Sequence, residues 1–264
     1  RDSVASRGLG DVYKRQQLIM VDAAKRASAK RITVVCPAYG YGRQDRKASG
    51  REPITAKLIA NLFKEAGASR LVSVDLHSGQ TQGFFDGPVD HLTAMPVLVE
   101  RLSSLNGDLT IVSPDAGRVK VAERYAMTLG AELAIVHKRR SNSSFNTVEA
   151  REVVGDVDGR VCILVDDMID TAGTICSAAE QLSERGASQI IAAATHGVFS
   201  GPASERLSSS PIEKIIVTDT LPLPENMQTD KVEVLSVAPL IAEAIRAVFE
   251  DTSVSEIFGG NNLV

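Results

Sequence analysis

Short apolar runs alternate with amphipathic stretches along most of the chain. The runs are rich in Val, Ile and Leu and have the length of buried strands, which predicts strands at 31–37, 71–76, 109–113, 133–137, 161–165, 190–194, 215–218 and 232–237. Between them apolar residues recur at helical spacing, which predicts helices at 17–29, 53–66, 96–103, 116–129, 175–187 and 239–249. This alternation predicts an α/β fold with mostly parallel sheets flanked by helices, and functional sites at the carboxyl ends of the strands.

A short internal echo indicates two related α/β halves. The tripeptide Gly-Ala-Ser at 67–69 precedes a strand that ends at His77, and the same tripeptide at 186–188 precedes a strand that ends at His196. The boundary between the halves is expected near 90–94.

Two segments show neither the helical nor the strand pattern of apolar residues. Residues 1–15 show neither a helical nor a strand pattern, so we expect 1–16 to be a non-native or disordered leader and the first helix to begin near Gln17. The segment 139–149 is rich in Ser and Asn and has no core pattern. It is predicted to be a mobile flap inside the second half.

Composition excludes several classes of protein. The 264 residues, 44% of them hydrophobic, are enough for two domains. A net charge of −4 and an aromatic content of 4% argue against a nucleic-acid-binding module. No apolar run reaches membrane-spanning length. The three cysteines have no metal-ligand spacing, so we expect a reduced, cytoplasmic setting.

The stretch 161–174 combines a predicted strand, three carboxylates and a turn of small residues. The carboxylates are Asp166, Asp167 and Asp170, and the turn consists of Thr171, Ala172, Gly173 and Thr174. Hydroxyls and N–H groups at a helix start bind phosphate, and carboxylates accept hydrogen bonds from sugar hydroxyls. The stretch therefore predicts a pocket for a phosphorylated sugar. The alternative is a structural turn in which a threonine only caps the helix.

Four further segments place polar or charged groups after predicted strands. They contain Arg43 with Gln44, His77, Asp115, and Lys138 with Arg140. A guanidinium matches phosphate oxygens, a carboxylate suits a hydrated metal ion, and cations that lead a flap suit closure over polyphosphate. Each segment taken alone is also compatible with a solvated loop or an ordinary helix start.

Together these segments resemble the ribose-phosphate pyrophosphokinase family, which makes 5-phosphoribosyl 1-diphosphate (PRPP). The resemblance runs from about Gln17 to Val264, and its most specific parts are 41–47, 74–86, 113–117, 137–140, 165–174 and 195–202. It implies two phosphoribosyltransferase-like α/β domains. One would comprise 17–92 with the tail 247–264 packing back, and the other, 93–246, would carry the ribose 5-phosphate loop.

The resemblance also implies a reaction and the residues that perform it. The family transfers the β,γ-diphosphate of ATP to the anomeric hydroxyl of ribose 5-phosphate, with magnesium as cofactor, and releases AMP. By this resemblance the catalytic residues are Lys138 and Arg140, the ATP-binding residues are Arg43 and Gln44, and the metal residues are His77 and Asp115. Ribose 5-phosphate would be bound by Arg140, Asp166, Asp167, Asp170, Thr171, Ala172, Gly173 and Thr174. The family is usually a homo-oligomer, a hexamer built from dimers.

The chain departs from the family pattern in two places. Arg118 stands where many relatives have a glycine, and we expect it to tune the diphosphate loop without abolishing binding. A Phe-x-Asp-Gly-Glu-type adenine loop is not found in the sequence, so weak ATP binding is expected of the chain as written.

Two alternative functions stay open at this point. A PRPP-consuming phosphoribosyltransferase would share the sugar-phosphate loop but not the segment 43–47 or His77. A non-catalytic, regulatory subunit would typically lose catalytic-loop residues, whereas Lys138 and Arg140 are present.

Overall fold

The computed structural model describes residues 5–139 and 150–258. The α-helices are α1 (Ala5–Arg26), α2 (Thr55–Ala66), α3 (Met95–Leu102), α4 (Val119–Leu129), α5 (Gly173–Glu184), α6 (Ala203–Ser209) and α7 (Ala238–Phe249). The strands are β1 (Thr33–Val35), β2 (Arg70–Val74), β3 (Val89–Leu92), β4 (Leu109–Ser113), β5 (Glu132–Arg139), β6 (Ala150–Val154), β7 (Val161–Ile169), β8 (Gln189–Gly197), β9 (Lys214–Thr218) and β10 (Val232–Leu235). Short 3-10 helices occupy Gly79–Phe84, Ala116–Arg118, Glu225–Met227 and Val254–Phe258.

The chain divides into two compact units. The first unit comprises Arg1–Ala94 and Ala238–Val264, and the second comprises Met95–Val237. The division made from the sequence placed residues up to 246 in the second half, whereas the structure groups the whole of α7 with the first unit.

The first unit contains a parallel three-stranded sheet in the order β1-β2-β3. Helix α2 presents Ala56, Ala60 and Phe63 to the core, at the i, i+4 and i+7 spacing of one helix face. These side chains pack with Leu71 and Phe85 in a single apolar cluster. The cluster also includes Cys36, which follows β1, and Leu76, which follows β2, so it extends into the segments that lead to the loops described below.

The second unit contains a seven-stranded sheet in the order β10-β9-β8-β7-β4-β5-β6, parallel except for β6. Alternate residues of the central strand β7 enter the apolar cores on its two faces: Cys162 and Leu164 belong to one, Ile163 and Val165 to the other. Helices α5 and α6 contribute to the first core, and α3 and α4 to the second. Burial on both faces explains why the sequence of β7 begins as an unbroken apolar run.

The predicted α/β class with mostly parallel sheets is confirmed, and several element boundaries were wrong. The first helix begins at Ala5 and not near Gln17. A helix gains one hydrogen bond with each added residue once it has formed, and no proline interrupts residues 5–26. Strands β3 and β6 and helix α6 were not predicted, because each is short or flanked by polar residues. Strand β7 continues to Ile169, so Asp166 and Asp167 lie within it.

Candidate active site

The phosphate-binding turn predicted at 171–174 leads from β7 into α5. Ala172 occupies the N-cap position of α5 with a left-handed φ of 60° and makes no side-chain capping hydrogen bond. Ala172, and neither Thr171 nor Thr174, is therefore the N-cap of α5. The first-turn N–H groups of an α-helix have no acceptor within the helix. They form a ready site for a phosphate at the carboxyl end of β7.

A neighbouring loop holds the start of this turn in place. Ser200 donates its Oγ hydrogen to Oδ1 of Asp170. Its main-chain N–H also donates to the carbonyl of Asp170 over 3.0 Å. Phe199, the residue before it, is buried and has a positive φ of 48°. Asp170 is thus fixed by two hydrogen bonds from one residue, a support that the sequence did not predict.

An arginine from α6 reaches the same turn. Nη1 of Arg206 donates to the carbonyl of Thr171 over 2.9 Å. The same Nη1 would lie only 3.2 Å from a Cβ at position 173, so the glycine there leaves room for the guanidinium. This places a positive charge beside the predicted phosphate site. Arg206 lies in a helix that the sequence analysis missed, and its i, i+35 separation from Thr171 gives no local signal.

Asp166 and Asp167 share one cationic partner. Nε of Arg118 lies 3.1 Å from Oδ1 of Asp166, and its Nη2 lies 2.6 Å from Oδ1 of Asp167. The Asp167 N–H donates to Oδ1 of Asp166 over 2.8 Å. The side chains are 15% (Arg118), 19% (Asp166) and 8% (Asp167) exposed, so the ion pairs are largely shielded from solvent.

The surroundings of Asp166 raise the pKa of its carboxyl group. Burial is the largest cause that raises the pKa of its carboxyl to about 8. The hydrogen-bonded carboxylate of Asp167 acts in the same direction, and the positive charge of Arg118 opposes it. A carboxyl group that titrates near neutral pH at a strand end is typical of a functional position.

The predicted metal residue Asp115 lies at the carboxyl end of β4. Its carboxylate is exposed, and Oδ1 accepts the Gly117 N–H over 2.8 Å at the start of the 3-10 helix. Ser113 donates its hydroxyl to the Asp115 carbonyl over 2.6 Å. Strands β4 and β7 are neighbours and parallel, so the loop 115–118 and the turn 170–174 emerge at the same edge of the sheet.

In the first unit the two predicted ATP and metal segments come together. Gly42 is buried, and a Cβ at that position would lie 3.5 Å from the Cβ of His77. Arg43 follows as an exposed residue, and the Gln44 N–H donates to the Tyr41 carbonyl over 2.8 Å. The structure thus brings Arg43 and Gln44 next to the loop that carries His77.

The backbone before His77 adopts an unusual conformation. Asp75 has a positive φ of 38°, which is rare for a residue with a side chain. Its Oδ2 accepts the Ala94 N–H over 2.9 Å, and the next N–H, of Leu76, donates to Nε2 of the buried His91 over 2.8 Å. These bonds hold a strained turn at the point where β2 ends, a feature found most often at functional sites.

The two predicted catalytic residues are described only in part. Lys138 lies in β5, where its backbone pairs with Arg151 of β6. Arg140 and the rest of the predicted flap up to residue 149 lie outside the described residues. Among the described residues, no group of three or more His, Cys, Asp or Glu side chains is arranged to hold a metal ion.

Comparison with known proteins identifies relatives along nearly the whole chain. The model of the N-terminal domain of ribose phosphate pyrophosphokinase matches residues 14–67, and that of the phosphoribosyl synthetase-associated domain matches residues 150–259. Ribose-phosphate pyrophosphokinase of Streptomyces avermitilis is 59% identical over 245 residues, which cover 92% of this chain and 76% of the relative. The enzyme of the same name from Bifidobacterium longum is 56% identical over 248 residues, which cover 92% of this chain and 73% of the relative.

A solved structure agrees with these relatives. The crystal structure of phosphoribosylpyrophosphate synthetase from Mycobacterium smegmatis superposes with a TM-score of 0.84 at 54% identity, covering 90% of this chain and 78% of that one.

No helix within the described residues is long and apolar enough to span a bilayer.

Proposed function

This chain belongs to the ribose-phosphate pyrophosphokinase family, and from that premise we propose how its residues make PRPP from ATP and ribose 5-phosphate. The predicted family, the α/β fold and the synthesis of PRPP are confirmed by the relatives and the solved structure. The assignment of individual residues, the metal and the assembly are our proposals.

The main support for this function is the proposed binding site for ribose 5-phosphate, the acceptor of the diphosphate. Asp166 and Asp167 present carboxylate oxygens where the ribose 2- and 3-hydroxyls would donate, and the N-terminus of α5 with its turn would hold the 5-phosphate. Asp170, fixed by Ser200, joins the two parts of the site. A diol acceptor and a phosphate cradle a few residues apart match the two ends of a ribose 5-phosphate molecule.

The reaction needs positioning and charge stabilisation and no covalent enzyme intermediate. The anomeric oxygen forms a bond to the β-phosphorus of ATP, the bond from that phosphorus to the α,β-bridging oxygen breaks, and AMP leaves. The anomeric proton is released to solvent. Lys138 and Arg140 are proposed to neutralise the charge that develops on the transferred group, in keeping with their place at the predicted flap.

ATP and magnesium are assigned residue by residue. Arg43 and Gln44 are proposed to bind ATP, and a guanidinium such as that of Arg43 suits phosphate oxygens. His77 and Asp115 are proposed to serve magnesium; the exposed carboxylate of Asp115 is the hard oxygen donor that this ion prefers. Bound magnesium would screen and orient the oxygens of the triphosphate.

The resemblance alone supports two further proposals. We propose that the enzyme is a homo-oligomer, a hexamer built from dimers, and that it acts in the cytoplasm. The alternative of a PRPP-consuming phosphoribosyltransferase is set aside, because a relative that aligns over 92% of this chain is a ribose-phosphate pyrophosphokinase.

An initial-rate assay tests the proposed function. The chain is supplied with ATP, magnesium and ribose 5-phosphate, and AMP release is followed. We expect AMP only when both substrates are present, a strong loss of rate in Asp166→Asn, and an unchanged rate in Lys120→Ala, which removes an exposed cation from α4. AMP release that does not need ribose 5-phosphate would contradict the proposal.

A further inference from the structure

Arg118 joins two loops that serve different parts of the reaction. It is the last residue of the 3-10 helix Ala116–Arg118, which follows Asp115 at the end of β4. Its guanidinium reaches across to Asp166 and Asp167 near the end of the neighbouring strand β7. The loop expected to handle diphosphate is therefore tied to the carboxylate pair expected to bind the sugar hydroxyls.

Adjacent carboxylates at low exposure need a counter-ion. Two such groups repel each other, and their removal from water disfavours the charged form of both. Arg118 supplies one positive charge to the pair through two donors of a rigid planar group, at 3.1 Å and 2.6 Å. Burying an unpaired cation of this kind would itself be costly, so each side stabilises the other.

The two Arg118 contacts do not use every acceptor position of the carboxylates. Arg118 contacts Oδ1 of each aspartate, and an ionised carboxylate has about four lone-pair sites on its two oxygens. Such a carboxylate can accept hydrogen bonds from sugar hydroxyls while the guanidinium stays in place. Arg118 therefore does not have to leave when the sugar binds.

We propose that Arg118 is a positioning residue for ribose 5-phosphate, which holds Asp166 and Asp167 side by side as acceptors for the sugar hydroxyls. This inference rests on the proposed role of the two aspartates in binding that substrate. It gives a role in sugar binding to Arg118, the residue at which the chain departs from the glycine of many relatives, whereas the sequence alone led us to expect an effect on the diphosphate loop.

The first test uses the protein without any substrate. The carboxyl carbons of Asp166 and Asp167 are titrated by carbon-13 NMR in the wild type, in Arg118→Ala and in Lys120→Ala. Among the described groups, Asp167 and Arg118 are those that act on the Asp166 charge, so loss of Arg118 should shift the Asp166 titration to higher pH. Lys120→Ala should leave it unchanged. An Arg118→Ala titration that overlays the wild type would overturn the proposal.

The second test measures ribose 5-phosphate binding by calorimetry between pH 6 and pH 10. At pH 7 we expect Arg118→Ala to bind roughly 10-fold more weakly than the wild type, a loss equivalent to about one pKa unit. The difference should shrink as pH rises and the carboxylates ionise without help. Arg118→Lys should recover part of the affinity, since it keeps the charge but not the planar pair of donors.

The two tests separate the possible failures. Equal or tighter binding in Arg118→Ala at pH 7 would overturn the positioning role, even if the protein makes PRPP. Absence of ribose 5-phosphate binding in the wild type, with the NMR shift present, would instead contradict the proposed substrate and leave the effect of Arg118 on the carboxylates measured. A weaker affinity that does not depend on pH would indicate a merely structural role and would also overturn the proposal.

Discussion

The guanidinium of Arg206, on helix α6 (Ala203–Ser209), donates a hydrogen bond over 2.9 Å to the main-chain carbonyl of Thr171 in the proposed phosphate-binding turn. The bond orients the peptide group at the start of the turn and keeps a cation beside it. Neither effect depends on the aspartates at the other end of the sugar site. We therefore expect Arg206 to support the proposed binding site for the 5-phosphate of ribose 5-phosphate.

Replacement of Arg206 by alanine should weaken the grip on that phosphate. We expect the KM for ribose 5-phosphate to rise by about 5- to 20-fold, in line with loss of a charge-assisted hydrogen bond. The KM for ATP should stay close to its wild-type value. Arg185→Ala, which removes an exposed arginine at the other end of α5, is the matched control. Equal increases in both KM values would show that Arg206 does not act on the sugar-phosphate site in particular.

The raised pKa of Asp166 predicts how stability changes with pH. The pKa is 3.8 for an unperturbed aspartate and about 8 in the folded protein, so between these values the folded chain binds more protons than the unfolded chain. The free energy of unfolding contributed by this group therefore decreases as pH rises through that window and levels off above it.

Chemical denaturation of the wild type and of Asp166→Asn at pH 5, 6.5 and 8 measures this contribution. The other titrating groups are common to both proteins, so the difference between their pH slopes reports on Asp166. We expect the variant to lose less stability than the wild type between pH 5 and pH 8. Identical slopes would show that Asp166 titrates at its ordinary pKa.

A change at Asp115 should appear in the magnesium requirement. Asp115→Asn keeps an oxygen that can accept the Gly117 N–H bond but removes the negative charge. Half-maximal activation should then need several-fold more magnesium, with the affinity for ribose 5-phosphate unchanged. The measurement is the rate against magnesium concentration at fixed ATP, with Glu123→Gln on α4 as the control. An activation curve that does not move would remove Asp115 from the metal site.

Lys138→Ala tests the catalytic assignment made from the sequence. We expect kcat to fall by about 100-fold or more, the usual consequence of losing a group that stabilises transition-state charge. Binding of ribose 5-phosphate, measured by calorimetry without ATP, should be nearly unchanged. A variant that turns over at the wild-type rate would show that Lys138 has no part in the chemical step.

The sequence was most informative where structure is local. The alternation of apolar runs and amphipathic stretches was enough to predict most strands and helices, because burial on one or both faces sets their periodicity. The turn 171–174 was also recognisable, since its small residues and the helix after it are contiguous. Short elements such as β3, β6 and α6 were missed, because few apolar positions mark them.

The partners of the site residues could not be predicted in the same way. Neighbouring residues of a strand point to opposite faces, so nothing in the order of Asp166 and Asp167 indicates a shared arginine 48 residues earlier. The bond from Arg206 to Thr171 spans 35 residues. Such contacts arise from the packing of helices and loops around the sheet, which no local pattern of residues reveals.

The identity of the products is the most direct test of the central claim, that this chain transfers a diphosphate to ribose 5-phosphate. Phosphorus-31 NMR of a reaction with ATP, magnesium and ribose 5-phosphate distinguishes transfer of two phosphoryl units from transfer of one. We expect PRPP and AMP in equal amounts. Formation of ADP with a ribose bisphosphate, or no phosphorylated product from a protein that binds ribose 5-phosphate, would contradict it.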